Sequence, residues 1–345
     1  MAISRPNAFA LRLIIWQRQH GRHHLPWQNT NDPYWIWLSE VMLQQTQVTT
    51  VLDYFPRFIQ ALPTVSALAD APQDNVLSLW SGLGYYSRAR NLQYAARQII
   101  HHFAGKFPDT RAELETLKGI GRSTAAAIAV FAFGKREAIL DGNVKRVLIR
   151  HRAINSYHSD PQTIRQLWSL AEDLLPDTAD DLRHYTQGLM DLGSLICTRS
   201  QPKCHLCPIK DNCLALKFSL THKLPLKKAK AVKPHKHTVM LIAWHHSYLL
   251  LEKRPDQGIW RNLWSFPEFL NIEAAQSFAS SLGKLHDTYE HKAIKHSFTH
   301  YHLTIHPVVV NITPKANPHT WFTIEQALVK GLPKPTRQLI ESLAK

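Results

Sequence analysis

The chain has four cysteines, Cys197, Cys204, Cys207 and Cys213, all in one short stretch. Four thiolates so close in sequence can close around a single centre, whereas a disulfide framework would be spread through a secreted domain. Tetrahedral zinc and a [4Fe–4S] cluster both accept four cysteines, so ligand number leaves both open. The 6-2-5 spacing departs from the paired C-x2–4-C knuckles of structural zinc sites. Upstream, Asp141-Gly142-Asn143-Val144-Lys145-Arg146 puts an aspartate at a predicted helix start. A carboxylate there accepts backbone N–H bonds and stays ionised, fit to steady a cationic reaction centre; the same residue is also an ordinary N-cap. Leu117 to Ala125 sets Gly119 and Gly121 in a tight turn ahead of an alanine-rich helix. Such a turn leaves N–H groups and a positive helix end free for a phosphate, without reading sequence, although most G-x-G turns are only turns.

The elements that must position these residues are mostly helical. Apolar spacing predicts helices over 8–19, 34–47, 87–103, 123–133, 144–151 and 163–175, separated by Asn31-Asp32-Pro33, Leu62-Pro63-Thr64 and Lys106-Phe107-Pro108-Asp109. No acidic residue falls between Asn212 and Leu251, and 223–236 concentrates lysine and proline. That stretch reads as a basic tether, solvated or lying along phosphates. Strand-like runs follow at 238–244, 248–252 and 302–311, and a helical run at 336–344. The expected organisation is a mainly α region over 1–222 that includes the cysteine loop 197–213, a linker over 223–236, and an α+β domain over 237–345.

Composition agrees with two cores: 345 residues, 44% of them hydrophobic, exceed what one core usually organises. The formal charge of +15 favours a polyanionic partner, although charge alone also serves solubility or an anionic membrane surface. The first residues form an amphipathic helix interrupted by Arg12 and Arg18, with no cleavage site, and no stretch approaches the ~20 apolar residues that span a bilayer. The chain is expected to be soluble and intracellular.

Several segments in register then converge on one family. Leu25-Pro26-Trp27, Trp37 to Val48 with Glu40, Gln44 and Gln45 inside it, Gly82-Leu83-Gly84-Tyr85-Tyr86 and Ile139 to Arg146, followed by the cysteine loop, resemble the MutY-type adenine DNA glycosylases of the endonuclease III superfamily. The resemblance covers residues 8–215. It implies a helix-hairpin-helix glycosylase fold, a six-helix barrel with an iron–sulfur module, and it favours [4Fe–4S] over zinc at the cysteines.

The implied activity is excision of adenine mispaired with 8-oxoguanine or guanine, by base flipping and without strand cleavage. Glu40 is then the acid that protonates adenine N7, and Asp141 the carboxylate that stabilises the oxocarbenium ion. The chemistry agrees, since neutral adenine is a poor leaving group and the sugar left behind is positive. Glu40 needs a raised pKa, for which Trp27, Trp37, Val41 and Leu43 supply apolar surroundings; its plainer reading is a solvated helical glutamate. The resemblance makes Gln44 and Gln45 a wedge in the duplex, Tyr85 and Tyr86 an aromatic face near the lesion, Asn143 the active-site asparagine and Gln187 a polar wall of the adenine pocket. Gly119, Gly121 and Lys145 face the backbone. Ser123 stands where bifunctional relatives carry a Schiff-base lysine, so lyase activity is not expected. Lys145, close in sequence to Asp141, could still trap an abasic product adventitiously; if so, borohydride trapping disappears in Lys145→Ala, and unchanged trapping rejects it.

After the tether, Glu252-Lys253-Arg254-Pro255 and Gly258 to Pro267 resemble the Nudix-like C-terminal domain of the same family. The clustered metal-binding carboxylates of a working Nudix hydrolase are absent from the sequence, so this domain is expected to recognise and not hydrolyse. Phe298-Thr299-His300 matches the family's 8-oxoguanine-reading loop, with threonine where serine is common; a bare strand-edge turn is the alternative. Competing with the whole reading are an endonuclease III-like glycosylase/lyase and a catalytically silent DNA-binding scaffold. The expected partner is double-stranded DNA carrying A:8-oxoguanine or A:G, met by a monomer that does not enter membranes and, in a bacterial cell, is cytoplasmic and nucleoid-associated.

Overall fold

A computed structural model describes residues 8–226, 232–315 and 320–344. Contacts divide the chain into two compact units. One combines Met1–Ala69 with Tyr94–Ala229, and the other combines Asp70–Gln93 with Lys230–Lys345.

The first unit is helical. Ala8–His20, Arg122–Phe133, Gly142–His151, Pro161–Asp173 and Ala179–Asp191 pack around a core that includes Leu13, Ala126, Val144, Leu148, Leu167, Tyr185 and Leu189, while Pro33–Leu43 and Val48–Ala61 bury Ile36, Trp37, Val51 and Phe55. Their starts follow the sequence: Asp32, Thr110, Asp141, Asp160 and Thr178 each accept an amide N–H as N-caps. The helix expected over 34–47 is in fact broken. It ends at Leu43, and Val48–Ala61 begins anew, because Gln45 takes φ +58° and so interrupts the ladder. Gln44 and Gln45 therefore stand in an inter-helix turn, not on a helix face.

Part of the expected tether belongs to this unit as well. Leu224 is buried in its core and accepts from Arg150 Nε at 3.0 Å, while 227–231 lie outside the described residues.

In the second unit the long strands His235–His245 and His302–Pro314 pair in parallel at the centre of a mixed sheet ordered 283–290, 302–314, 235–245, 248–250, 321–323. Helix Ile272–Leu282 covers one face over Val239, Leu241, Val308 and Val310. The other face packs on Lys334–Leu343 through Met240, Ile242, Leu339 and Ile340. This two-faced burial explains the continuous apolar run along His235–His245, in place of strict alternation. Residues 70–93, read from sequence with the helical region, are built into this unit. Asp74 accepts from Lys253 Nζ at 2.6 Å and from Trp264 Nε1 at 3.3 Å. Among the described residues no helix is long and apolar enough to cross a membrane.

Candidate active site

A cavity of about 320 Å³ opens in the helical unit, within the ~300–1,000 Å³ of small-molecule pockets. Trp27, Ile36, Leu43, Val48, Phe131 and Met190 make it apolar, and Glu40, Gln28, Gln187, Arg22, Arg183 and His184 give it polar points. Trp27 is fixed edge-on against Phe55 at 5.3 Å. Trp37 and Val41, also expected around Glu40, are buried in the core.

Glu40 sits on the last turns of Pro33–Leu43. Burial pushes its carboxyl pKa from 4.5 up to about 8, and the charge of Asp141 adds to the rise. The two carboxyls, 101 positions apart in sequence (141 − 40), are therefore within electrostatic reach of each other. Asp141 is raised too, by burial, but the amides of Val144 and Asn143 and the charges of Arg146 and Lys145 pull it back. Its Oδ1 accepts from Val144 N at 2.7 Å as the N-cap of Gly142–His151. With one proton to share, the pair keeps it on Glu40, because donors and cations favour ionised Asp141.

Asp141 is held from both sides. Ser123 Oγ accepts from Leu140 N at 2.9 Å, so its hydroxyl anchors the residue just before Asp141. Asn143 Oδ1 accepts from Arg146 at 2.8 Å, and the same guanidinium donates to Gly193 O at 2.6 Å and Cys197 O at 2.8 Å. A Cβ on Gly193 would lie 2.6 Å from that of Asn143, so glycine is what admits this close packing.

Sequence reasoning missed the far wall of the cavity because it did not read the helix Ala179–Asp191. Fully buried Asp191 binds Arg22 Nε at 2.7 Å and Gln187 Nε2 at 2.9 Å, which fixes the Gln187 amide. Gln28 Nε2, a donor with no partner among the described residues, is also on the wall. The available signal was the Thr178 cap followed by acidic residues, with Gln187 and Asp191 at i,i+4.

At the hairpin, Gly119 has φ +84°, which only glycine adopts freely. Gly121 starts Arg122–Phe133 with no side-chain cap and open space around its Cα. Gln44 Nε2 reaches Thr124 Oγ1 at 3.5 Å, and Lys145 is half-buried beside Asp141.

All four cysteines line a second cavity, with Arg150, His151, Leu192, Ile196 and Ile209. Among the described residues no three His, Cys, Asp or Glu side chains are arranged to hold a metal ion. Burial pushes the Cys207 thiol up to about 12 and raises Cys204 and Cys213. Arg150, 2% exposed, donates to Cys197 Sγ at 3.3 Å and to the carbonyls of Thr198 and Arg199 at 2.7 and 3.1 Å. Among the described residues neither ring nitrogen of buried His151 has a hydrogen-bond partner. Arg199, Lys203 and Lys210 are exposed around this loop.

In the second unit Tyr85 is 49% exposed, whereas Tyr86 is buried. Phe298 packs among Trp260, His296 and Tyr301 with centroids 5.2, 4.6 and 4.7 Å away, leaving Thr299 and His300 exposed between two strands.

Residues 38–173 match the HhH-GPD superfamily of base excision DNA repair proteins, and 238–342 match a NUDIX domain. An adenine DNA glycosylase of Buchnera aphidicola is 37% identical over 98% of this chain and 97% of its own length. The human adenine DNA glycosylase is 42% identical over 62% of this chain and 40% of its own. Among solved structures, a thermostable thymine-DNA glycosylase superposes with TM-score 0.56 at 29% identity, covering 61% of this chain and 95% of that one. With a helix-hairpin-helix region and a Nudix-like sheet in one chain, and full-length likeness of this degree, the chain belongs to the adenine DNA glycosylases of base excision repair, enzymes that hydrolyse N-glycosyl bonds.

Proposed function

We propose that this enzyme releases adenine paired with 8-oxoguanine or guanine, as a monomer and without cutting the strand. The observation that carries the reading is a pair of buried carboxyls in electrostatic reach of each other: Glu40, on the wall of a small, mostly apolar cavity, is pushed up to about 8, whereas at Asp141 two backbone amides and two cations oppose the rise that burial causes. An adenine flipped into the cavity meets Glu40, which donates its proton to N7. The C1′–N9 bond then breaks with its electron pair going to the base, and Asp141 balances the positive sugar until water adds at C1′. Gln28 Nε2 offers a hydrogen bond to a ring nitrogen and Gln187 its carbonyl to the exocyclic amine. The absence of an amine at Ser123 supports monofunctional chemistry, since that hydroxyl is engaged with Leu140 N.

Duplex contacts follow the same logic. The Gly119–Gly121 turn and uncapped helix end suit a phosphate, and the turn at Gln44 and Gln45 suits insertion into the stack. In the second unit, Tyr85 and exposed Thr299 and His300 are available to the base opposite adenine. The test uses duplexes with A opposite 8-oxoguanine, A opposite guanine, or thymine glycol, each with and without alkali. Cleavage at the adenine that needs alkali is expected; alkali-independent nicking, or action on thymine glycol alone, overturns the proposal.

The cysteine cavity fits a [4Fe–4S] cluster. Four sulfurs line one space without closing on a single point, and a buried guanidinium and orphaned imidazole N–H offer the donors that sulfur-rich anions accept. Cys197, Cys204, Cys207 and Cys213 would hold it, and its contribution is structural rigidity for the loop bearing Arg199, Lys203 and Lys210. Purified protein is expected to contain iron and acid-labile sulfide in equal amounts, both lost with DNA affinity in Cys207→Ser; stoichiometric zinc in place of iron rejects the cluster.

A further inference from the structure

The turn 82–86 has an unusual backbone: Gly82, Gly84 and Tyr85 take φ +106°, +73° and +48°. A tyrosine keeps the left-handed conformation only where its surroundings impose it. On one side Arg88 imposes it. Its guanidinium donates to Leu83 O and Gly84 O, each at 3.2 Å, and lies 5.2 and 5.7 Å from the ring centroids of Trp80 and Tyr85. On the other side stands Tyr86. Its hydroxyl accepts from Gly82 N at 3.3 Å and donates to Leu332 O at 2.6 Å. Leu332 is itself buried and its segment is fixed: Trp264 N donates to Gly331 O at 2.9 Å and Arg337 to Leu328 O at 2.7 Å.

We propose that Tyr86 is a positioning residue whose hydroxyl carries the placement of the 328–337 segment to the turn and so sets how Tyr85 is presented to the lesion. Lesion reading by the C-terminal unit then works through two arms, the 298–300 loop and the aromatic turn. This rests on the reading above that Tyr85 meets the duplex opposite the adenine.

The test uses full-length Tyr86→Phe, which keeps the ring and removes only the hydroxyl. Binding is measured to duplexes bearing 2′-fluoro-deoxyadenosine, which resists cleavage, opposite 8-oxoguanine or guanine. Affinity for the 8-oxoguanine duplex is expected to fall roughly five-fold relative to the guanine duplex, as part of the loss of the hydroxyl's two hydrogen bonds reaches the turn, and by more than the saturated single-turnover rate falls. Gly331→Ala disturbs the same link from its far end, since the added Cβ would lie 2.8 Å from Leu77 Cβ. It should lower the same ratio, and the double variant should lose less than the two single losses combined. An unchanged ratio in Tyr86→Phe, or additive losses, overturns the proposal. If the unmodified chain releases adenine from neither duplex, the glycosylase reading itself fails, and that is seen before any variant is made.

Discussion

With Glu40 replaced by glutamine, single-turnover release of adenine opposite 8-oxoguanine is expected to fall about 10³-fold, inside the ~10²–10⁴ range of general acid catalysis, while duplex binding barely changes. Glutamine keeps the shape and removes only the transferable proton. The same assignment fixes a pH profile. Because burial and the Asp141 charge lift Glu40 to about 8, the acid form dominates at neutral pH, and the rate should decline as pH rises past about 8. Stability falls in the same direction, over a lower pH range. Between the ordinary 4.5 and about 8 the folded chain binds this proton more tightly than the unfolded chain, so the contribution of Glu40 to stability decreases with rising pH. Glu40→Gln lacks that loss and should melt higher than the unmodified chain at pH 9, with a smaller difference at pH 4. A rate that stays flat to pH 10, or a fully active glutamine variant, removes Glu40 from the chemistry.

Asp141→Asn should slow the same step by about 10²–10³-fold, the scale of losing one preorganised charge at a developing cation. Asparagine still caps the helix Gly142–His151, so the fold and the accepted Val144 N–H survive. Two readouts distinguish it from the Glu40 variant. A duplex containing a cationic pyrrolidine in place of the sugar should bind Asp141→Asn much more weakly while binding Glu40→Gln normally. The alkaline limb of the residual rate should also move to lower pH, since one of the two causes raising Glu40 has been removed. If pyrrolidine affinity is untouched, Asp141 is an N-cap and nothing more.

Much of the helical region was legible because its caps and apolar spacing are local: Asp32 and Asp141 mark helix starts, and the helices predicted over 8–19, 87–103 and 123–133 lie within a residue of their limits at both ends. The break at Gln45 was not, because a left-handed glutamine leaves no compositional mark. Glu40 and Asp141 were singled out by motifs in register, while their mutual reach depends on tertiary packing that no spacing encodes. The Arg22–Asp191–Gln187 set was hidden for the same reason, joining positions 169 residues apart. The His235–His245 strand was foreseeable from its apolar run, but its parallel pairing with His302–Pro314 arises from long-range order.

The C-terminal sheet gathers a stretch made much earlier in the chain. Residues 70–93 leave the ribosome more than a hundred residues before 230–345, so Asp74, Leu77 and Tyr86 must wait on the order of ten seconds for Lys253, Gly331 and Leu332 at ordinary translation speeds. Until then that stretch lacks these native partners, and the nascent enzyme cannot finish its aromatic turn before Leu332 is synthesised.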